Sequence, residues 1–402
     1  MLKNQHLKQW MSLVSYHLPE LTLPQVSGLA TWSFGMVMTQ SSSLTRVSSF
    51  IAKLNQEKFN TVRQRLKEWY QEAKAKSGAK TGKKRSELKV SCCFAPLLRW
   101  VLSLWPSNSS ELPLAVDATS IGQTFTVLSI NVLYRSCAIP VAWKVVKATE
   151  KGAWKPHWQD LFKSLKQVIP PEWMVIVCAD RGLYADWLDN EIVKVGWHPF
   201  LRINHQGTYQ LNEQTQWHSL ATVVEKPGAS WSGRVTCFKT NPLVCTLLAR
   251  WDEGYQDPWL ILTDLDPKQG NALWYGLRSW IECSYRDLKT DGWQWHKTRL
   301  TDPQRAERHW LAMAVATLWM VTLGGEADAN PPESLFEQLP ARHIAKAKHR
   351  SRRSNCSRHL SCFLQGLLTV VANLLNGQPI FLGRLFPQPL PSCGAIVFSN
   401  TS

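Results

Sequence analysis

Hydrophobic and polar positions follow different rhythms along this chain, and each rhythm predicts a different kind of element. In the first ninety residues the spacing is helical. Leu44, Val47, Ile51 and Leu54 recur behind Ser43, a residue suited to cap a helix start, and Phe59, Val62, Leu66, Trp69 and Tyr70 repeat the pattern. Between Leu112 and Val146 the rhythm changes to three apolar, β-branched runs, LPLAVDATSIG, FTVLSINVLY and CAIPVAWKVV, split by short polar breaks. They predict three neighbouring strands, the last two joined across Arg135 and Ser136. A helix is expected from about His157 to Val168, ahead of Pro170 and Pro171. MVIVCADRGLY then predicts a strand ending in Asp180, followed by a helix from Tyr184 to Val195 and a strand from His198 to Asn204.

From about His205 to Tyr255 the pieces are short, strand-like and punctuated by Gly207, Gly228, Gly233 and Pro242, which predicts a β-rich insertion. Trp259 to Leu265 returns to a core strand. A helix is expected from about Pro303 to Leu323, with Trp310, Met313, Ala314 and Leu318 facing inward, and Leu360 to Leu375 has the apolarity of a last helix. The expected layout is a helical region at 1–95 with a basic linker at 74–89, and a core in two parts, 96–204 and 259–325. The insertion at 205–258 divides that core, and a basic tail with a helix follows at 326–402.

One stretch gathers unusual chemistry. WYGLRSWIECSYRDLK, Trp274 to Lys289, carries Tyr275, Arg278, Glu282 and Lys289 at offsets that fall within a sector roughly 60° wide on an α-helix. Leu273, Leu277, Ile281, Ser284 and Leu288 form a mostly apolar stripe roughly 140° away. One face suits a core, and the other collects a carboxylate, a phenol and two cations. Taken alone, that face reads first as an ordinary solvated surface with i,i+4 pairs such as Arg278 and Glu282, and the rest of the chain reverses that order.

Charge narrows the reading. Lys and Arg number 46 against 30 acids, a net charge of +16, which favours a polyanionic partner. Arg46, Lys53, Lys58, Arg63, Arg65 and Lys67 stud the early helices, as a duplex reader or a plain charged surface would have them. Residues 74–89 hold seven cations against the single acid Glu87 and read as a flexible basic linker. Arg342 to Arg358 adds seven more with no acid. Of the 21 Trp, most are expected in the core and a few could stack on bases. Ten Cys without a CxxC pair, and no zinc-ligand spacing around His296 and His309, predict free thiols in a reducing cytosol. No signal-like run opens the chain, and the longest apolar stretch, Trp310 to Leu323, spans 14 residues. A soluble, cytoplasmic protein without a membrane partner is expected.

Asp117 follows Leu114, Ala115 and Val116 inside a predicted strand, where a carboxylate is costly unless paired, metal-bound or at the open end of a sheet. A turn-capping role beside Thr119 is the plainer alternative. Asp180 ends its strand, where open α/β sheets hold their sites. Together with Glu282 these carboxylates could hold two divalent ions for an in-line phosphoryl displacement.

The strand motifs VDAT and ADRG and the ungapped pattern Y-x-x-R-x-x-x-E-x-x-x-x-x-x-K, met by Tyr275, Arg278, Glu282 and Lys289, resemble those of DDE transposases of bacterial insertion sequences. KTRLTDPQRAERHWLAMAVA is similar to the segment after that signature, and the resemblance covers roughly residues 30 to 325. It implies an α/β fold: a ribonuclease-H-like mixed sheet with flanking helices, a β-rich insertion before the last catalytic helix, and an N-terminal helical DNA-binding domain. It implies that Asp117, Asp180 and Glu282 bind two Mg²⁺ ions, with Mn²⁺ able to substitute. Tyr275, Arg278 and Lys289 would position terminal phosphates, and Lys297 and Arg299 are further candidates for DNA contact. The implied partners are double-stranded DNA, namely inverted-repeat transposon ends and target DNA, bound by a homodimer on the bacterial nucleoid. Relatives with such an insertion form a DNA hairpin supported by a Trp, for which Trp217, Trp231 and Trp251 are candidates. Some relatives have a second acid after the first Asp, where this chain has Ala118 without an expected loss of catalysis. A ribonuclease-H-like nuclease or resolvase, or an inactive transposase-derived DNA-binding protein, are the rival readings.

Overall fold

A computed structural model describes residues 4–329, apart from 83, 84, 151, 153 and 213, together with residues 360–390. The basic run Arg342 to Arg358 lies outside the described residues. The chain opens with four helices, α1 (Gln5–His17), α2 (Leu23–Thr39), α3 (Leu44–Asn55) and α4 (Phe59–Trp69). Their starts follow capping chemistry: Asn4 accepts from the Leu7 amide, and Ser43 accepts from the Arg46 amide, as its position predicts. Helix α2 is buried from Gly28 to Val37 on every side, so it forms the interior of the bundle.

After α5 (Phe94–Ser103) come β1 (Glu111–Ile121), β2 (Phe125–Tyr134), β3 (Cys137–Lys147), α6 (Lys155–Lys166), β4 (Met174–Ala179), α7 (Asp186–Lys194) and β5 (His198–Arg202). The β2–β3 turn places Arg135 and Ser136 at φ 42° and 63°, the left-handed pair that a two-residue hairpin requires. Strand β3 lies at the sheet edge, where Pro140 and the register shift opposite Ile130 and Asn131 are tolerated.

The insertion is β-rich, and it does not stand apart from the core sheet. Its strands β6 (Thr208–Leu211), β7 (His218–Ser219), β8 (Ser230–Cys237) and β9 (Leu243–Arg250) continue the main sheet through β10 (Trp259–Thr263). The result is one ten-stranded mixed sheet in the order β3-β2-β1-β4-β5-β10-β9-β8-β6-β7. A small apolar cluster including Val235, Cys245, Leu247 and Leu262 packs under the added strands. Strand pairing is set by backbone edges, which the side-chain rhythm does not report.

Helix α8 (Ser279–Arg286) leads to α9 (Pro303–Asp328), which runs past the predicted end at Leu323. By length and composition α9 could cross a membrane, but 89% of its apolar window is buried inside the protein. It is the central core helix, packed against α2, β3 and the last helix, α10 (Cys362–Leu375). Nor does a boundary at residue 95 divide the core, because Trp10, Trp32 and Leu66 share one apolar cluster with Ile176 and Trp310. The described part of 74–89 is folded rather than a free linker. Glu72 forms a two-pronged pair with Arg305, at 2.6 and 2.9 Å. Arg308 donates to the Leu88 and Tyr70 carbonyls, both at 3.0 Å.

Candidate active site

Strands β1 and β4 are parallel neighbours, with Ala115 opposite Cys178. Two residues further along each chain stand Asp117 and Asp180, so the register delivers both carboxylates to the same end of the sheet. Asp180 is fixed just past its strand by accepting from the Gly182 and Leu183 amides, at 2.9 and 3.2 Å. Asp117 accepts from the Ala118 amide at 2.8 Å.

The third segment is not the single α-helix that the periodicity predicts. Ala272–Arg278 winds as a 3₁₀-helix started by the Asn271 side chain, α8 follows, and Asp287–Asp291 widens into a π turn. The wide turn closes where the Gly292 and Trp293 amides both donate to the Asp287 carbonyl. A methyl on Gly292 would overlap Phe363 there. The tighter first part turns Tyr275 out of the expected face. Tyr275 is buried with its ring edge-on to Trp259, at 5.4 Å between centroids, and burial pushes its phenol well up.

The remaining members of the signature do come together. Arg278 Nη2 lies 3.2 Å from Asp117 Oδ2 and 3.2 Å from Asp180 Oδ2, while Nη1 pairs with Glu282 Oε1. Three carboxylates from two strands and a helix thus converge on one guanidinium, whose Nε is buried without a hydrogen bond. Burial pushes the Asp117 carboxyl up to about 6, opposed by Arg278 and reinforced by Asp180 and Glu282. Lys289 Nζ bonds to Thr119 Oγ1 and lies 5.5 Å from the centre of the Tyr285 ring. Burial lowers the Lys289 pKa, with Asp117 opposing the shift.

This donor set suits a hard divalent cation, and the guanidinium stands where positive charge is needed. Among the described residues, though, no three His, Cys, Asp or Glu side chains are grouped to share an ion directly, because Arg278 lies between the acids. The fit therefore requires Arg278 to yield its place.

The periodicity missed Tyr285. It is buried, with its hydroxyl 2.7 Å from Ser129 Oγ and 3.4 Å from the Asp117 carbonyl, and it braces β1 against α8. Its signal was its place four residues before Lys289. Lys297 and Arg299 line a cavity against the N-terminal helices whose lining includes none of the three carboxylates. In the insertion, Trp217 lies 6.0 Å from Lys239 Nζ, Trp231 packs on Tyr209, and the Trp251 indole donates to the Tyr255 carbonyl.

No curated protein matches this chain. Among solved structures, a piggyBac transposase synaptic complex with hairpin DNA, determined by cryo-electron microscopy, aligns over 89% of this chain and 86% of its own. The two chains share 10% identity, with a TM-score of 0.33. The profile of the family described as Transposase DDE domain matches residues 108–319, which span Asp117, Asp180 and Glu282 and more than half of the 402 residues. The chain belongs to the transposase DDE-domain family.

Proposed function

We propose that this transposase cleaves and rejoins DNA strands at the inverted-repeat ends of a bacterial insertion sequence. Asp117, Asp180 and Glu282 would hold two Mg²⁺ ions, and Mn²⁺ would substitute. The observation that carries the reading is the convergence of these three carboxylates on Arg278. Bound ions would supply Lewis-acid activation of the attacking oxygen and charge neutralisation at the leaving one. Arg278, displaced from the carboxylates, and Lys289 would then be free to hold phosphates of the strand end, with Tyr285 keeping β1 and α8 in register. Tyr275 would support Arg278 from behind rather than touch DNA.

The finer assignment rests on the Y-R-E-K spacing and on the β-rich segment before α8. Together they favour a ribonuclease-H-like core, residues 96–204 and 259–325, and a hairpin-forming, cut-and-paste subgroup. Trp217, Trp231 and Trp251 are all partly exposed and remain the candidates for hairpin support. Residues 1–95 would contribute DNA binding, and a homodimer would hold two ends.

Alanine substitution of each acid, assayed on element-end DNA with Mg²⁺, tests this. Cleavage should vanish while end binding stays within roughly threefold, because affinity resides in phosphate contacts elsewhere. A Glu282→Ala protein that still cuts would move the third ligand to another residue.

A further inference from the structure

A cavity of about 630 Å³ opens between the N-terminal helices and the segment that follows the signature helix. Five cations reach it from three parts of the chain: Arg46 from α3, Arg63 and Lys67 from α4, and Lys297 and Arg299 from the segment before α9. No Asp or Glu lines it, and none of the five forms an ion pair among the described residues. The N-terminal end of α3, at Ser43 to Arg46, also borders it, adding the positive end of a helix dipole. Five unpaired cations around one space repel one another, and an anion removes that cost.

The wall holds a second, independent signal. His309 is 4% exposed and borders the cavity, packed edge-on to Trp32 and Tyr70 at 4.8 and 5.9 Å. The Ser42 backbone is the polar neighbour of one ring nitrogen, and the other nitrogen has no hydrogen-bond partner among the described residues. A buried polar side chain left in this state costs about 1–3 kcal/mol, which an occupant with a hydrogen-bonding edge would recover. Anionic at the rim, planar and polar at the floor: that is the chemistry of a nucleotide.

We propose that this cavity binds a single unpaired nucleotide of a DNA strand, its phosphates on Arg46, Arg63, Lys67, Lys297 and Arg299 and its base edge at His309. The proposal adds a strand-binding site to the proposed DNA chemistry and rests on that reading only for the identity of the polymer. The site joins the N-terminal helices to the core, so a strand bound there would be gripped by both.

The test uses the full chain without divalent ions, so the carboxylate chemistry plays no part. Binding of a fluorescent five-nucleotide deoxythymidine strand is followed by anisotropy against salt, with an abasic strand, a blunt duplex and inorganic phosphate as competitors. The Arg63→Ala/Lys67→Ala protein, changed at the mouth of the cavity, should lower the slope of log affinity against log salt by about 1.4. His309→Phe keeps the ring packing and should weaken the thymidine strand roughly three- to tenfold while leaving the abasic strand unchanged. An unchanged slope in the double variant would overturn the site. Equal binding of the abasic strand, or full competition by blunt duplex or phosphate, would overturn the nucleotide. Acid-to-alanine variants that fail to abolish cleavage would refute the proposed catalysis and leave this result untouched.

Discussion

At the scale of single residues, the molecule turns on Arg278, a cation shared by three acids that would otherwise repel one another. Arg278→Ala should cost roughly 1–3 kcal/mol without divalent ions, less than a fully buried network, because Asp180 and Glu282 are 36% and 39% exposed. The three acids would then be open to a metal. Melting curves should therefore show a larger stabilisation by Mg²⁺ or Mn²⁺ in the variant than in the parent; an equal response would mean that Arg278 does not compete with metal. His309 gives a pH-dependent counterpart. Burial lowers its pKa from 6.5 to about 4, with the Ser42 backbone pulling weakly the other way. Between those values the unfolded chain binds a proton that the folded chain does not. Its contribution to stability is thus complete above 6.5 and lost as pH falls through the window, by up to roughly 3 kcal/mol. Replacing His309 by Phe should flatten the fall in melting temperature across pH 6.5 to 4, and an identical slope would assign the acid sensitivity to other groups.

At the scale of elements, the sequence was most legible where an apolar strand run meets a carboxylate. Asp117 and Asp180 could be placed because each follows directly on an apolar, strand-forming run, and at Asp180 the Arg-Gly break marks the strand's end. Lys289 was placed on the right segment for an incomplete reason, since a π turn rather than an unbroken α-helix carries it to Thr119. Widening of a helix answers to tertiary packing, here Phe363 against Gly292, and local spacing does not encode it. Lys297 and Arg299 were legible only as candidates for DNA contact; that they share a cavity with Arg46, Arg63 and Lys67 is a matter of tertiary packing, which local spacing does not encode. The close approach of α9 and α10 was likewise invisible. Cβ atoms at Gly324 and Gly366 would overlap the carbonyl oxygens of Cys362 and Met320, so backbone packs on backbone. Gly324→Ala should therefore destabilise by about 1–3 kcal/mol or displace α10, despite its gain in helix propensity. Denaturant titration with hydrogen exchange over residues 362–375 distinguishes the two, and a neutral or stabilising substitution would contradict this packing.

At the scale of the whole molecule, the question is whether the N-terminal helices are a separate domain, as the change of rhythm near residue 95 predicts, or part of one cooperative unit. A single apolar cluster runs from α1 through α9 into the sheet. Specific contacts bind the same parts: the Trp10 indole stacks on Trp319 at 4.2 Å, and the Ser42 amide donates to the Trp293 carbonyl at 2.7 Å. Arg308 fastens the join, for it is 4% exposed and serves the carbonyls of Tyr70 and Leu88 from the start of α9. Arg308→Met keeps most of the side-chain volume but leaves two carbonyls without their donor, a loss of about 2–5 kcal/mol. In the parent, fluorescence and hydrogen exchange within α2 should report one coincident transition with denaturant. In Arg308→Met the midpoint should fall for both probes together, because the lost bonds belong to a shared interior. Were α2 to exchange its amides well before the sheet melts, in either protein, the helices would be an independently folding domain docked on the core. The cavity between them would then be an interface that opens and closes, and the salt dependence of strand binding would follow the docking equilibrium instead of the fixed positions of Arg63, Lys67, Lys297 and Arg299.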